Sequence, residues 1–394
     1  MKVAYFLDTF PKISESFILN EITEQLNGGT DVLIFSMNTP HEEIFHDEVE
    51  NFDILKRTYY FDIRNVFTLN IVQFLYFLSR SIFYEIHDLR LPKSSLKIAY
   101  FATIIEKEDV KQIHSHFANF GIYTKELSCL LKIPFTLTTH AQDIYFKPDF
   151  KKLRSIMDDA AAVVTISDYN KKYLEETIRL KNNVEVIRCG INPAKFDPGK
   201  GQKGNDSTIN ILTVSRLVEK KGIEYLVKAI PSVIEKFPGC KFTIIGSGYL
   251  HDSLNQLAMD QNVKAYIQFK GDVSDSELKE NYHKADIFVL PCIVAENGDR
   301  DGIPVAMMEA MAMEIPVIST DASGIPELVI DGISGILVPQ KNETEISRAI
   351  IKLCENKDLR NNMGKAGKHI IIEKYNLENE AKKLENLFQS VYGS

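Results

Sequence analysis

Short runs of β-branched and aromatic residues alternate along this chain with stretches whose apolar residues recur at helical spacing. That alternation is the pattern of parallel sheets wound with crossover helices. In the first half the runs predict strands at 3–7, 32–37, 113–117, 135–140, 162–167 and 184–188. They recur at 211–216, 242–246, 267–271, 287–291, 317–320 and 336–339. Each series predicts its own doubly wound sheet, so the fold class is α/β with two Rossmann-like units. Between the series, residues 192–207 are rich in Gly, Pro and polar side chains with no hydrophobic periodicity, and read as the linker. The expected domains are 1–195 and 196–376. Beyond them, Leu377, Ala381, Leu384, Leu387 and Phe388 keep the apolar spacing of a final helix in 377–394.

Length agrees with this division. The 394 residues exceed what one hydrophobic core supports, and two domains of about 190 residues each are the natural size. A net charge of −8 argues against nucleic acid as a partner, since such binders need clustered positive charge. Five cysteines (Cys129, Cys189, Cys240, Cys292 and Cys354) are dispersed without C-x-x-C spacing, which indicates neither a disulfide framework nor a zinc site. A cytoplasmic location is expected. The N-terminus turns acidic at Asp8 and reads as a first strand rather than a signal peptide. The most apolar stretch, 65–79, is interrupted by Asn70 and Gln73 and followed by Arg80, too short and polar to span a bilayer.

Candidate chemistry concentrates in the second half. Asp301 and Glu309 are separated by seven residues across Gly302, Ile303 and Pro304. Pro304 suits a first helical position, so the preceding loop offers free backbone N–H groups and the positive end of a helix dipole to an anion. One carboxylate then takes hydroxyls on one side of the anion, and the other takes hydroxyls behind it. A nucleotide sugar has that layout. The strand at 211–216 runs into Arg216-Leu217-Val218-Glu219-Lys220-Lys221-Gly222, which sends Arg216 and Lys221 off one strand end together. Two cations there neutralise a diphosphate and the charge that grows on it as a glycosidic bond breaks. Gly246-Ser247-Gly248 begins like a dinucleotide fingerprint but has His251 in place of the third glycine, so a turn passing close to a nucleotide is the better reading.

These strings resemble those of the retaining family 4 glycosyltransferases of GT-B fold. The Asp301 to Glu309 segment is similar to the family's E-x7-E, whose first acid meets the donor sugar and second the ribose. Here Asp replaces the first Glu, withdrawing the carboxylate by about 1.5 Å, one C–C bond. The Arg216 to Gly222 string resembles R-L-x-x-x-K-G, which implies that Arg216 and Lys221 hold the donor phosphates. By the same resemblance the backbone near Asp272 and Val273 recognises the base, with Gly246 beside it. Thr138-Thr139-His140 resembles a T-x-H element whose histidine bonds a hydroxyl of the donor sugar. Gly324-Ile325-Pro326-Glu327 resembles a helix-opening G-x-P-E string, for which a plain helix start with Glu327 favouring the dipole stands at least level with ligand contact. The triplet Asp299-Arg300-Asp301 is formally the D-x-D of metal-dependent transferases, but Arg300 and the two-sheet layout oppose that reading, and no metal is expected.

In the first half, Phe10-Pro11-Lys12-Ile13-Ser14-Glu15-Ser16-Phe17 resembles the F-P-x-x-S-E-[ST]-F segment of the exopolysaccharide and colanic-acid branch. Ser14 or Ser16 is expected to cap a helix with Glu15 in its first turn, and Ser14, Glu15 and Ser16 are candidates for the acceptor side. His114 and His116 would project on one face of a strand. No third metal ligand is evident, and the likeness to an H-x-H-F strand end implies a structural or acceptor-side role for His116. Region 57–97 interleaves basic and aromatic residues, among them Arg57, Tyr59, Arg64, Phe67, Tyr76, Arg80, Phe83 and Arg90. Such a surface can dock on an anionic membrane; helix packing explains the aromatics equally, and both readings stand.

The resemblance implies two domains facing across a cleft, with the last helix returning to the first domain. It implies transfer of a hexose, with retention, from a nucleotide-diphosphate sugar such as a UDP-hexose to a saccharide or polyprenyl-linked saccharide. The donor is a co-substrate, and no cofactor is called for. A peripheral position at the inner face of the plasma membrane would suit a lipid-linked acceptor. Two other classes stay open: a sugar-nucleotide epimerase of the same fold, and a non-catalytic nucleotide-sugar-binding protein.

Overall fold

Thirteen strands fall into two wholly parallel sheets in the computed structural model, which describes residues 1–42, 44–87, 93–180, 183–199 and 208–393. The first sheet contains β1 (Lys2–Thr9), β2 (Asp31–Asn38), β3 (Thr58–Tyr60), β4 (Gln112–His116), β5 (Phe135–Thr139), β6 (Ala162–Thr165) and β7 (Val184–Val186). Its order is β3-β2-β1-β4-β5-β6-β7. The second contains β8 (Asn210–Val214), β9 (Lys241–Ile245), β10 (Ile267–Gly271), β11 (Ile287–Val289), β12 (Val317–Thr320) and β13 (Gly335–Val338), ordered β10-β9-β8-β11-β12-β13. Residues of β4, β5, β6, β11 and β12 are buried throughout, as strands covered by helices on both faces must be.

Twelve of these strands coincide with predicted runs. The exception, β3, is a three-residue edge strand whose Tyr59 pairs with Phe35 of β2, too short to show a periodicity. The helix that carries Glu309 spans Val305–Ala312, and Pro304 stands just before it with extended backbone (φ −67°, ψ 126°). Pro304 is therefore the cap position and not the first helical residue. Neither Ser14 nor Ser16 caps its helix: a 3-10 turn at Ile13–Glu15 leads into helix Ser16–Asn27, and no side-chain cap bond forms at either start.

Helix Leu377–Tyr392 lies against the first sheet's layer, not the second's. Leu384, Leu387 and Phe388 join Tyr5, Ile18 and Ile22 in one buried cluster, and the Gln25 side-chain amide donates to the Ala381 carbonyl at 2.7 Å. The two halves are also stitched directly. Glu327, from the second half, accepts from the backbone N–H groups of Asp168 at 3.0 Å and Tyr169 at 2.7 Å, the first residues of helix Asp168–Thr177 in the other half. A carboxylate there satisfies orphan donors and meets the positive end of the dipole. Its role is to join the halves, which neither sequence reading of Glu327 anticipated. All five cysteines are free. Residues 200–207 of the linker and Arg90 lie outside the described residues. Among the described residues, no helix is long and apolar enough to cross a membrane.

Candidate active site

Strand order reverses between β1 and β4 in one sheet and between β8 and β11 in the other. At such a switch point, loops leaving neighbouring strands diverge and open a crevice at the carboxyl ends. A cavity of about 280 Å³ lies between the two crevices, lined by loops of both halves. His140, Arg216, Lys221, Gly246, Asp272, Val273, Asp301, Gly302, Ile303 and Glu309 all line it, with Ser14, Glu15 and Ser16 contributing the opposite wall. His116 does not reach it. That residue lines a neighbouring cavity of about 340 Å³, which shares Glu15, Phe117 and Gln142 with the first.

The end of β8 builds the cationic wall. After Arg216, a 3-10 turn at Glu219–Lys221 closes on Gly222 and turns two lysines inward. The Lys221 ammonium sits 2.7 Å from Asp301 Oδ2. Lys220 lies 3.0 Å from Asp299 and 3.8 Å from Asp301, while Arg216 stays exposed to the cavity. Burial pushes the Asp301 carboxyl up, but Lys221 and then Lys220 outweigh it and hold the group below its ordinary value. Asp301 is thus an ionised carboxylate between two lysines. Cys292, 3.5 Å from the same oxygen, is a thiol raised well above its usual range by burial and then by Asp301. The sequence reading named Lys221 and missed Lys220, whose side chain is equally buried but turned toward Asp299.

Close approach to backbone demands glycine at Gly246, and Gly302 lies against a side chain of the other half. A Cβ on Gly246, whose φ is +118°, would stand 2.1 Å from the Ser215 carbonyl oxygen; one on Gly302 would stand 2.7 Å from Ile166 of the other half. At the far end of the cavity Glu309 accepts from the Tyr282 hydroxyl at 2.7 Å. Burial raises its pKa against that bond. Ser247 donates to Asp272 at 2.6 Å, fixing the turn beside Val273.

His46 and Asp275 also face the cavity, one from each half, and no motif pointed to them. Their ring-to-carboxylate distance is 2.8 Å, and the other ring nitrogen lies 3.0 Å from the Ile13 carbonyl. Burial lowers the His46 pKa, yet the bond to Asp275 and its charge prevail and lift it to about 8. A raised histidine pKa contributes stability that is complete below the unfolded value near 6.5 and is lost as pH rises through about 8. That shift corresponds to about 2 kcal/mol. His46→Gln is therefore expected to destabilise the protein most at pH 6, with the difference from wild type shrinking by up to about 2 kcal/mol as pH rises to about 9. Parallel chemical denaturation at both pH values checks this, and an equal difference at both would remove His46 as the titrating group.

His140 follows β5, and its backbone N–H donates to Asp143 at 2.8 Å. Burial, with His116 and His114 adding to it, holds the His140 pKa well below the ordinary value, so the ring at the cavity wall is neutral. Burial likewise pushes Asp143 up to about 7, against bonds from the Ala118 and His140 amides.

Two parallel-sheet Rossmann-like halves, with a cavity walled on one side by Arg216, Lys220 and Lys221 between their switch points, define the GT-B fold. Residues 15–195 match the model of Glycosyltransferase Family 4, and residues 197–370 match that of Glycosyl transferases group 1. The amylovoran biosynthesis glycosyltransferase AmsK of Erwinia amylovora is 27% identical, covering 90% of this chain and 91% of its own. An uncharacterized glycosyltransferase of Methanocaldococcus jannaschii is 30% identical over 67% of this chain and 71% of its own. Among solved structures, Anabaena HepE in complex with UDP-glucose superposes with a TM-score of 0.74 at 13% identity, covering 98% of this chain and 99% of that one. The chain belongs to the family 4 glycosyltransferases.

Proposed function

We propose that this glycosyltransferase moves a hexose, with retention and without a metal, from a nucleotide-diphosphate sugar to a saccharide in cell-surface polysaccharide synthesis. One observation carries the reading: Arg216 and Lys221 converge on the loop before helix Val305–Ala312, between Asp301 and Glu309, in a single cavity facing His140. Cations and helix start neutralise the diphosphate, Glu309 takes the ribose, and Asp301 and His140 flank the sugar. The bond from the sugar's anomeric carbon to the diphosphate breaks with its electron pair passing to phosphate oxygen. The acceptor oxygen bonds that carbon on the same face, and its proton goes to the departing phosphate. The biosynthetic setting of AmsK supports a polysaccharide product, and the UDP-glucose held by HepE favours a UDP-hexose donor. No cofactor enters this scheme.

The neighbouring cavity fits the acceptor. Asp8, Asn119 and Gln142 offer polar groups beside Phe120 and Tyr123, whose ring centroids are 5.3 Å apart, a combination of polar and aromatic surface that suits a saccharide. A thermal-shift screen against UDP-, GDP- and ADP-sugars tests the donor reading, because a ligand of the native state raises the melting temperature. Stabilisation by none of them, or only with manganese or magnesium added, sinks it.

Helix Ile71–His87, which packs on the helix starting at this second cavity, presents Val72, Leu75, Tyr76, Phe83 and Ile86 to solvent, and Phe67 just before it is 84% exposed. Its acid, Glu85, is buried, whereas Arg80 is exposed. An apolar face with a basic residue suits an anionic lipid surface, where a polyprenyl-linked acceptor would lie. The double variant Val72→Asp with Phe83→Asp is expected to cut binding to vesicles of anionic phospholipid by about tenfold or more. Cosedimentation measures it; wild-type protein that stays in the supernatant contradicts the docking.

A further inference from the structure

His140 is the end of a hydrogen-bonded chain that starts on the far side of β4. The Tyr5 hydroxyl donates to Glu21 Oε1 at 2.9 Å. That same oxygen lies 3.2 Å from His116 Nε2, and His116 Nδ1 lies 2.9 Å from His140 Nε2. Phe17 and Phe117 bring ring centroids to 4.6 and 4.7 Å from that of His140. We propose that Glu21 and His116 are positioning residues for sugar transfer, holding the His140 imidazole in one tautomer and one ring plane at the cavity wall. The proposal rests on the reading of that cavity as the donor-sugar site.

An ionised carboxylate only accepts, so His116 Nε2 must carry hydrogen. The His140 ring accepts from the Asp143 amide in the capping box at that helix start, so its own hydrogen is on Nε2, which donates to His116 Nδ1. Burial raises the Glu21 carboxyl, but His116 and its hydrogen bond, His114 and Tyr5 outweigh it and keep the group ionised. A carboxylate beneath two buried histidines and a buried tyrosine is an expensive way to fill a core that apolar side chains would fill with less penalty. The arrangement becomes intelligible because the chain ends at the cavity. Glu21 lies 3.7 Å from His114 as well, and the sequence reading missed it as the third member of a cluster of metal-ligand type. His114, however, already has its nitrogens at 2.8 Å from the Thr136 hydroxyl and 3.2 Å from that of Thr138, and both nitrogens of His116 are engaged. Hydrogen bonding accounts for every nitrogen in the group.

The experiment compares wild type with Glu21→Gln and His116→Asn on three readouts. Calorimetry gives the Kd for UDP, GDP and ADP, which report the phosphate end of the cavity and not His140. Steady-state kinetics with the corresponding sugars separates kcat from KM, and two-bond nitrogen–proton spectra of 15N-histidine-labelled protein report the tautomer of His140. Both variants are expected to lose about ten- to a hundredfold in kcat, the range that a small misplacement costs. Nucleoside-diphosphate affinity is expected to stay within about twofold of wild type, the signature of a loss confined to the transition state. His140 is expected to be the Nε2–H tautomer in wild type and a mixture in Glu21→Gln. Unchanged kcat in both variants overturns the proposal, as does a parallel loss of nucleotide affinity, a wild-type His140 protonated on Nδ1, or a stoichiometric metal found by elemental analysis. Should wild type transfer no sugar at all, the donor-sugar reading fails by itself, and the tautomer spectra still decide the chain.

Discussion

Lys221→Ala is expected to lower kcat for sugar transfer by about 10²- to 10³-fold, the loss that follows removal of one charged donor from a developing oxyanion. The Lys221 ammonium is the cation closest to Asp301, placed where a departing diphosphate would gather charge. The fold should survive, because Lys220 remains 3.8 Å from Asp301 and can take over part of the neutralisation of a buried carboxylate that would otherwise stand uncompensated. Circular dichroism separates the two effects: an intact spectrum with lost turnover is the expected pair. Normal turnover would refute the phosphate assignment.

Asp301→Glu should change which sugar is accepted. The added methylene carries the carboxylate about 1.5 Å further along the side chain, out of its 2.7 Å contact with Lys221 and into the cavity. We expect the ratio of kcat/KM between two nucleotide hexoses to shift by about tenfold or more, since a polar group moved against a substrate hydroxyl discriminates strongly. A panel of UDP-, GDP- and ADP-sugars reads the result. The same ranking of donors in variant and wild type would place Asp301 away from the sugar and leave it as the counter-ion of the lysine pair.

Much of the architecture was legible because each long parallel strand is a buried, β-branched run bounded by turn residues, and periodicity survives in such segments. The strand at Thr58–Tyr60 was not, since three residues at a sheet edge carry no period. In the site, the residues flanking each strand end stood out through their spacing: Arg216 with Lys221, and Asp301 with Glu309. What stayed hidden was whatever depends on two distant segments meeting. His46 and Asp275 are 229 positions apart, and Glu21 reads as an ordinary polar position on a helix until β4 is laid beside it. Lys220 was passed over for a different reason. Adjacent lysines are equivalent in a string, and only the 3-10 turn decides that one meets Asp301 and the other Asp299. Ser14 and Ser16 show the converse error, where a residue type favoured at helix caps sits in a turn that uses no cap.

The returning segment Leu377–Tyr392 separates order along the polypeptide from order in space. Its Phe388 ring stands 5.2 Å from His114 and 6.4 Å from Tyr5, so a segment that follows the whole second half is packed over the wall behind His140. A fragment built from residues 1–195 alone would leave that wall open to water. A first-half module meant to stand by itself needs the terminal helix grafted back onto it, and complementation between separately produced halves would hinge on that one amphipathic piece finding its groove.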